Sequence, residues 1–148
     1  MKYRLVEIFE SLQGEGRDTG RPCVFVRFAG CNLACPWCDT DVGERFSMTL
    51  DELLAEIASY KAKTVVLTGG EPTLIEGAPE LIAALKAAGY FIAVETNATV
   101  DAPWLQFVDY VACSPKAEFP DKIELKKANE VRVVASGESA VEFCRRVK

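Results

Sequence analysis

Gly30-Cys31-Asn32-Leu33-Ala34-Cys35-Pro36-Trp37-Cys38-Asp39-Thr40 places three cysteines within eight residues, in the spacing C-x3-C-x2-C. Three thiolates this close on one loop can each take one iron of a four-iron cubane cluster, and no fourth thiolate lies nearby for the last iron. An iron left open can chelate a small ligand, whereas four-cysteine ligation confines a cluster to electron transfer. Structural zinc is the weaker reading, because it wants four Cys or His ligands and the chain has no histidine. The bland alternative is three thiols that merely pack or pair as a disulfide; Pro36 and Trp37, which stiffen the loop that gathers them, argue against it.

Working outward, Pro22 to Ala29 is β-branched and aromatic and reads as a buried strand with the charged Arg27 near its end. Before it, residues 3 to 10 alternate loosely and run into Ser11-Leu12-Gln13-Gly14-Glu15-Gly16, where two glycines bracket an acid and predict a loop. After it, Thr49-Leu50-Asp51-Glu52 is a capping box, and Leu50, Leu53, Leu54 and Ile57 recur at helical spacing to about Lys61. Thr64 to Leu67 is a short apolar strand that leads into Thr68-Gly69-Gly70-Glu71-Pro72. Pro79 then opens a helix with the stripe Leu81, Ile82 and Leu85, and Gly89 ends it. The unit repeats through strands at Phe91 to Val94, Val108 to Ala112 and Glu130 to Val134, with a helical pattern from Glu138 to Val147. Strands alternating with helices predict an α/β fold with a parallel sheet, open or partly closed as a barrel.

In such sheets ligands bind at the carboxyl ends of the strands, where the loops open on one rim. Each unusual polar cluster is expected there: Arg27 and the cysteines after the first long strand, Thr68 to Glu71 after the second, Glu95 to Asn97 after the third, and Ser114-Pro115-Lys116 after the fourth. Gly69-Gly70 lets backbone approach a ligand closely and Glu71 adds an acceptor, a surface suited to an amino acid that chelates iron through its own nitrogen and oxygen. A plain turn with a solvated glutamate is the alternative. Arg27 offers a planar fork for a carboxylate, or else a surface salt bridge with Glu15 or Asp39. Thr40 is either a turn residue or a ligand of a hard cation such as magnesium, which takes few protein ligands. Cys23, Cys113 and Cys144 read as small core residues, and Trp104 and Phe107 as packing.

At 148 residues the chain is expected to be one domain, 1–148, with a single core that buries about two-thirds of the unfolded surface. A formal charge of −5 argues against a nucleic-acid partner. Glu7 and Glu10 interrupt any signal-peptide pattern and no apolar run reaches membrane-spanning length, so no membrane partner and a cytoplasmic location are expected. Six cysteines with three of them clustered fit metal binding in a reducing compartment better than a disulfide frame.

C-x3-C-x2-C followed by a Gly-Gly-Glu-Pro turn resembles the radical S-adenosylmethionine enzymes. Glu10 to Gly16, Gly20-Arg21-Pro22, Cys38-Asp39-Thr40, Glu95-Thr96-Asn97 and Ser114-Pro115-Lys116 together resemble the 7-carboxy-7-deazaguanine synthases of 7-deazapurine (queuosine) biosynthesis. The resemblance implies a partial (β/α) barrel, a [4Fe-4S] cluster on Cys31, Cys35 and Cys38, and S-adenosylmethionine held by Trp37, Cys38, Asp39, Gly70, Ser114, Pro115 and Lys116, with Glu95 as a further contact. It implies that Leu12, Gln13, Gly14, Arg27 and Thr68 hold 6-carboxy-5,6,7,8-tetrahydropterin and that Thr40 ligates Mg2+. In such an enzyme one electron enters the cluster, S-adenosylmethionine is cleaved and later regenerated, and a 5'-deoxyadenosyl radical takes a hydrogen from C6 of the substrate. The substrate then contracts its ring and loses ammonia, a carbon–nitrogen lyase reaction. An electron donor such as flavodoxin and a homodimer are implied as partners.

Members of that family continue past the fifth strand, whereas this sequence ends at Lys148 inside a helical pattern, as a naturally short member or as a fragment. Two rivals remain. A glycyl-radical-enzyme activase fits the length but not the Gln-Gly-Glu-Gly loop, and a non-enzymatic cluster or zinc carrier would bind metal without cleaving S-adenosylmethionine.

Overall fold

In the computed structural model, which describes residues 1–134 and 137–147, the pleat of the strands decides which side chains reach the site. Seven strands form one sheet: Tyr3–Leu12 (β1), Pro22–Phe28 (β2), Phe46–Met48 (β3), Thr64–Gly69 (β4), Phe91–Thr96 (β5), Tyr110–Cys113 (β6) and Glu130–Val131 (β7). Their order is β3-β1-β2-β4-β5-β6-β7. From β2 to β7 every pairing is parallel, while β1 is antiparallel to both of its neighbours. The parallel sheet expected from the sequence is present from β2 to β7, and β1 and β3 extend it with antiparallel pairings at one edge. A nine-residue connection from Leu12 to Pro22 is too short for a crossover and can only make a hairpin, which reverses the chain.

Helices Leu50–Ser59 (α1) and Ala78–Ala87 (α2) make the two full crossovers. Thr49 caps α1 as its sequence predicts, accepting from the Glu52 amide while the Glu52 carboxylate accepts from the Thr49 amide. No α-helix follows β5 or β6 among the described residues; short 3-10 turns at Pro103–Phe107 and Pro120–Lys122 stand there instead, each opened by its proline. The last helix, Glu138–Arg146 (α3), stops one residue earlier than its pattern, and Lys148 lies outside the described residues. The fifth strand is also shorter than its apolar run, ending at Val131.

Because side chains alternate faces along a strand, two cores result. Val24, Val26, Phe28, Val65, Leu67, Ile92, Val94 and Val111 point to the helices and pack with Leu53, Ile57, Leu81 and Leu85. Cys23, Phe25, Val66, Ala93, Tyr110 and Ala112 line the opposite, inner face, with Phe9 stacked on Phe25. Trp104 is buried as expected, but Phe107 is 61% exposed and Cys144 is exposed, so neither is the core residue its sequence suggested. Both sit on short, one-sided elements whose outer faces are uncovered among the described residues. No helix of the described residues is long and apolar enough to cross a membrane.

Leu85 is fully buried on α2. Leu85→Ala is expected to destabilise the fold by about 2–5 kcal/mol, seen as a lower urea midpoint at unchanged slope.

Candidate active site

Pleat and register together set a row of polar groups across the inner face. Glu7 on β1 faces Arg27 on β2, Arg27 faces Thr68 on β4, and Thr68 donates to Glu95 Oε2 on β5 at 3.1 Å. Glu95 pairs in register with Ala112, and Ala112 with Glu130 on β7. Arg27, Thr68 and Glu95, all singled out from sequence, thus stand side by side. The Arg27 partner is Glu7, bonded through Nε at 2.7 Å, rather than Glu15 or Asp39. Among the described residues the terminal guanidinium nitrogens of Arg27 take no acceptor, which leaves a fork for a ligand.

The cysteine loop starts where β2 ends. Gly70 lies directly against it: a Cβ there would fall 1.8 Å from the Gly30 carbonyl oxygen, so only glycine permits the approach. The Gly70 amide donates to Phe28 O at 3.1 Å and the Glu71 amide to Gly30 O at 2.9 Å. The loop closes on itself through the Gly30 amide and Val42 O, 2.8 Å apart. From the β5 end, Asn97 Nδ2 donates to Asn32 Oδ1 at 3.0 Å and more weakly to Cys31 Sγ at 3.8 Å. From the β6 end, Lys116 Nζ sits 5.2 Å from the centre of the Trp37 ring and donates to Ser114 Oγ at 3.0 Å, while Trp37 Nε1 donates to Glu118 Oε1 at 2.6 Å. Three strand ends therefore grip one loop.

The carboxylate of Glu71 has a different role from the one its sequence suggested. It is buried and accepts from the Thr73 amide and hydroxyl, the Thr96 hydroxyl and the Asn97 amide, at 2.6–3.0 Å. A buried carboxylate is tolerable only when its lone pairs are met in this way. Glu71 is neither solvated nor offered to a ligand; it ties the end of β4 to the end of β5.

Cys31 and Cys35 are partly buried and Cys38 is exposed. Burial pushes the Cys35 thiol up, with Lys116 opposing it. Cys31 Sγ also accepts from the Leu33 amide at 3.4 Å. Among the described residues no three Cys, Asp or Glu side chains converge as ligands of a single metal ion. A cluster asks for something else, one thiolate to each iron, and three thiols spread along a polar, glycine-backed loop are a donor set of that chemistry. Cys23 and Cys113 are buried with thiols pushed up by that burial, and belong to the packing.

Residues 25–145 match the Radical SAM superfamily. A 7-carboxy-7-deazaguanine synthase of Neisseria meningitidis serogroup B is 48% identical over 150 residues, covering 99% of this chain and 69% of that protein. The synthase of Bacteroides thetaiotaomicron is 48% identical over 139 residues, 93% of this chain and 73% of that protein. The crystal structure of QueE from Escherichia coli superposes with a TM-score of 0.85 at 28% identity, over 99% of this chain and 77% of that one. The chain belongs to the 7-carboxy-7-deazaguanine synthase family of the radical SAM superfamily. Its sheet is the partial barrel of that superfamily, and membership implies a [4Fe-4S] cluster and S-adenosylmethionine.

The loop after β1 approaches the inner face from the end away from the cysteines. Leu12, Gln13 and Gly14 follow β1 and lie at the end of the sheet opposite the cysteine rim. Leu12 is exposed, but Gln13 is buried and its Nε2 reaches Glu95 Oε1 at 3.0 Å. The connection is pinned below the inner face by Arg17 over the Tyr110 ring and Arg21 over the Phe91 ring. Asp39 and Thr40 lie beside the last cysteine, with the Thr40 hydroxyl 3.1 Å from Asp39 Oδ1. A groove of about 1410 Å3 lies elsewhere, between the β6–β7 connection and α3, and no cysteine-loop residue lines it.

Arg132 escaped the sequence reading. Its NH1 donates to Glu95 Oε1 at 2.8 Å and its Nε pairs with Glu130. A charged pair spaced by two in an apolar strand, Glu130-Val131-Arg132, was the available signal, since that spacing puts both on one face. Burial pushes the Glu130 carboxyl up, but Arg132, the Tyr110 hydroxyl at 2.6 Å and the Arg17 amide at 3.0 Å outweigh it and hold the group at about 2. The unfolded chain therefore takes up the proton first as pH falls, so this contribution is complete above about 4.5 and is lost towards 2. Glu130→Gln is expected to be less stable than the parent at pH 7, with the gap in urea midpoints narrowing below pH 4.5; a gap independent of pH would contradict the assignment.

Proposed function

We propose that the chain converts 6-carboxy-5,6,7,8-tetrahydropterin to 7-carboxy-7-deazaguanine with loss of ammonia, the activity that gives its relatives their name and a carbon–nitrogen lyase step of queuosine biosynthesis. The observation that carries this is the placement of the Arg27–Thr68–Glu95 row on the inner face, beneath the loop of Cys31, Cys35 and Cys38 that β4, β5 and β6 grip together. A polar row at that level can orient a small carboxylated heterocycle under a reactive group held by the loop.

Bound there, the [4Fe-4S] cluster and S-adenosylmethionine supply the one-electron chemistry that removes a hydrogen from the substrate. Cys31, Cys35 and Cys38 hold the cluster. Trp37, Cys38, Asp39, Gly70, Ser114, Pro115 and Lys116 hold S-adenosylmethionine, with Glu95 at its margin. The Lys116 ammonium, fixed by Ser114 and the Trp37 ring, suits an amino acid's polar end. Arg27 takes the substrate carboxylate through its unused nitrogens, and Leu12, Gln13, Gly14 and Thr68 hold the ring from below and from the side. The Thr40 hydroxyl, beside Asp39, is a hard oxygen donor that would hold Mg2+. One domain of cytoplasmic location, a flavodoxin-like electron donor and a homodimer complete the reading.

The test is anaerobic cluster reconstitution followed by S-adenosylmethionine, dithionite, Mg2+ and 6-carboxytetrahydropterin. Deazaguanine product is expected in excess over 5'-deoxyadenosine, since the cofactor is regenerated in turnover, and 5'-deoxyadenosine without the deazaguanine would contradict the substrate. Arg27→Ala is expected to raise KM for the pterin at least tenfold with cluster iron unchanged; an unchanged KM would remove Arg27 from the site.

A further inference from the structure

Arg132 belongs to no contact assigned to cluster, cofactor or substrate, yet it bonds to Glu15, Glu95 and Glu130 on the inner face. Its side chain is only 16% exposed. Besides Glu95 and Glu130 it reaches Glu15, donating from NH1 to Oε2 at 3.3 Å and from NH2 to the carbonyl oxygen at 3.4 Å. Glu130 holds the same segment from below through the Arg17 amide. Gly16 between them leaves the room this needs: a Cβ there would lie 1.9 Å from Glu130 Oε1, and its φ of +68° is the left-handed conformation glycine favours. Two residues at the last strand thus clasp the β1–β2 connection, more than 110 positions away in sequence.

The same guanidinium fixes Glu95. Oε1 of that carboxylate receives Arg132 and Gln13, one donor for each lone pair, and Oε2 receives Thr68. The carboxylate plane is set from three sides, and a single lone pair on Oε2 is left for a ligand's N–H. An ordinary exposed ion pair would join two mobile side chains and organise nothing. A partly buried fork on three acceptors drawn from β5, β7 and the β1–β2 connection does organise something.

We propose that Arg132 is a positioning residue for substrate binding: by bridging Glu95 to Glu130 and Glu15 it sets the Glu95 carboxylate, which in turn holds Gln13 and Thr68, and locks residues 13–17 across the open inner face, so that Gln13 and Thr68 meet the substrate ring already oriented. This rests on the pterin reading above. It also explains why an open sheet, with β7 as its last described strand, needs a strap from its first hairpin to its last strand.

Steady-state kinetics and amide hydrogen exchange on the reconstituted enzyme test it. Arg132→Met is expected to raise KM for 6-carboxytetrahydropterin at least tenfold and to speed exchange at the residue 13–17 amides at least tenfold, while cluster iron stays within twofold and the loss of S-adenosylmethionine affinity is smaller than the rise in KM, because Glu95 lies only at that cofactor's margin. Glu130→Gln is expected to free the same amides with a smaller rise in KM, because the bond to Glu95 survives. Arg132→Lys, a point donor in place of a fork, is expected to fall between parent and Arg132→Met. A KM within twofold of the parent, unchanged exchange at 13–17, or an equal loss of S-adenosylmethionine affinity would each overturn the proposal. Should Arg132→Met not fold, Glu130→Gln decides through the same amides. If the parent enzyme binds and turns over no pterin, the substrate reading fails separately, and exchange at 13–17 alone decides whether the strap exists.

Discussion

The site depends on a backbone contact with no side chain in it. Gly70 lies against the Gly30–Cys31 peptide at a distance that no Cβ would allow, and the amides of Gly70 and Glu71 bond to the carbonyls of Phe28 and Gly30. The first cysteine is thereby placed by the end of β4 rather than by its own loop. Glu71 then fastens that turn to Thr96 and Asn97 at the end of β5, and Asn97 bonds the loop at Asn32. A chain of fixed contacts runs from β4 through a buried carboxylate to β5 and back to the cysteines. Loops that bind cofactors are ordinarily the mobile part of a fold; this one is held at three strand ends.

What the sequence made legible follows from short-range rules. The capping box at Thr49, the apolar stripe of α2 and the strands of β2, β4, β5 and β6 are local patterns, and the helices and strands sit within a few residues of where those patterns put them. The parity of Arg27, Thr68 and Glu95 was also within reach, since each is an even number of positions from an inner-face residue of its own strand: Phe25, Val66 and Ala93. The cysteine spacing carried the chemistry, because three thiols without a histidine in the chain leave few metal centres to choose from.

The remainder was not legible because it is made of distant partners. Glu71 reads as an acceptor for a ligand, or as a solvated turn residue, until Thr96 and Asn97, some 25 positions on, supply its donors. Arg27 could have paired with any nearby acid, and only the antiparallel register of β1 selects Glu7. Phe107 and Cys144 look like core residues in composition, and their exposure reflects elements whose outer side is uncovered among the described residues. Hydrophobicity alone does not tell a covered face from an uncovered one.

The inner face has a consequence for how the two ends of the chain relate. A closed barrel would hold its floor by continuous hydrogen bonding, but among the described residues this sheet has edges at β3 and β7. The floor is instead a nine-residue connection stacked on Tyr110 and Phe91 through two arginines and joined to β7 by Glu130 and Arg132. Cation–π contacts and charge-assisted hydrogen bonds are directional, so they fix orientation as well as proximity. Gln13, at the start of that connection, reaches Glu95 only because the strap runs under the sheet and not beside it. The geometry of the polar row is therefore set jointly by the first hairpin and the last described strand, through Gln13 on one side of Glu95 and Arg132 on the other.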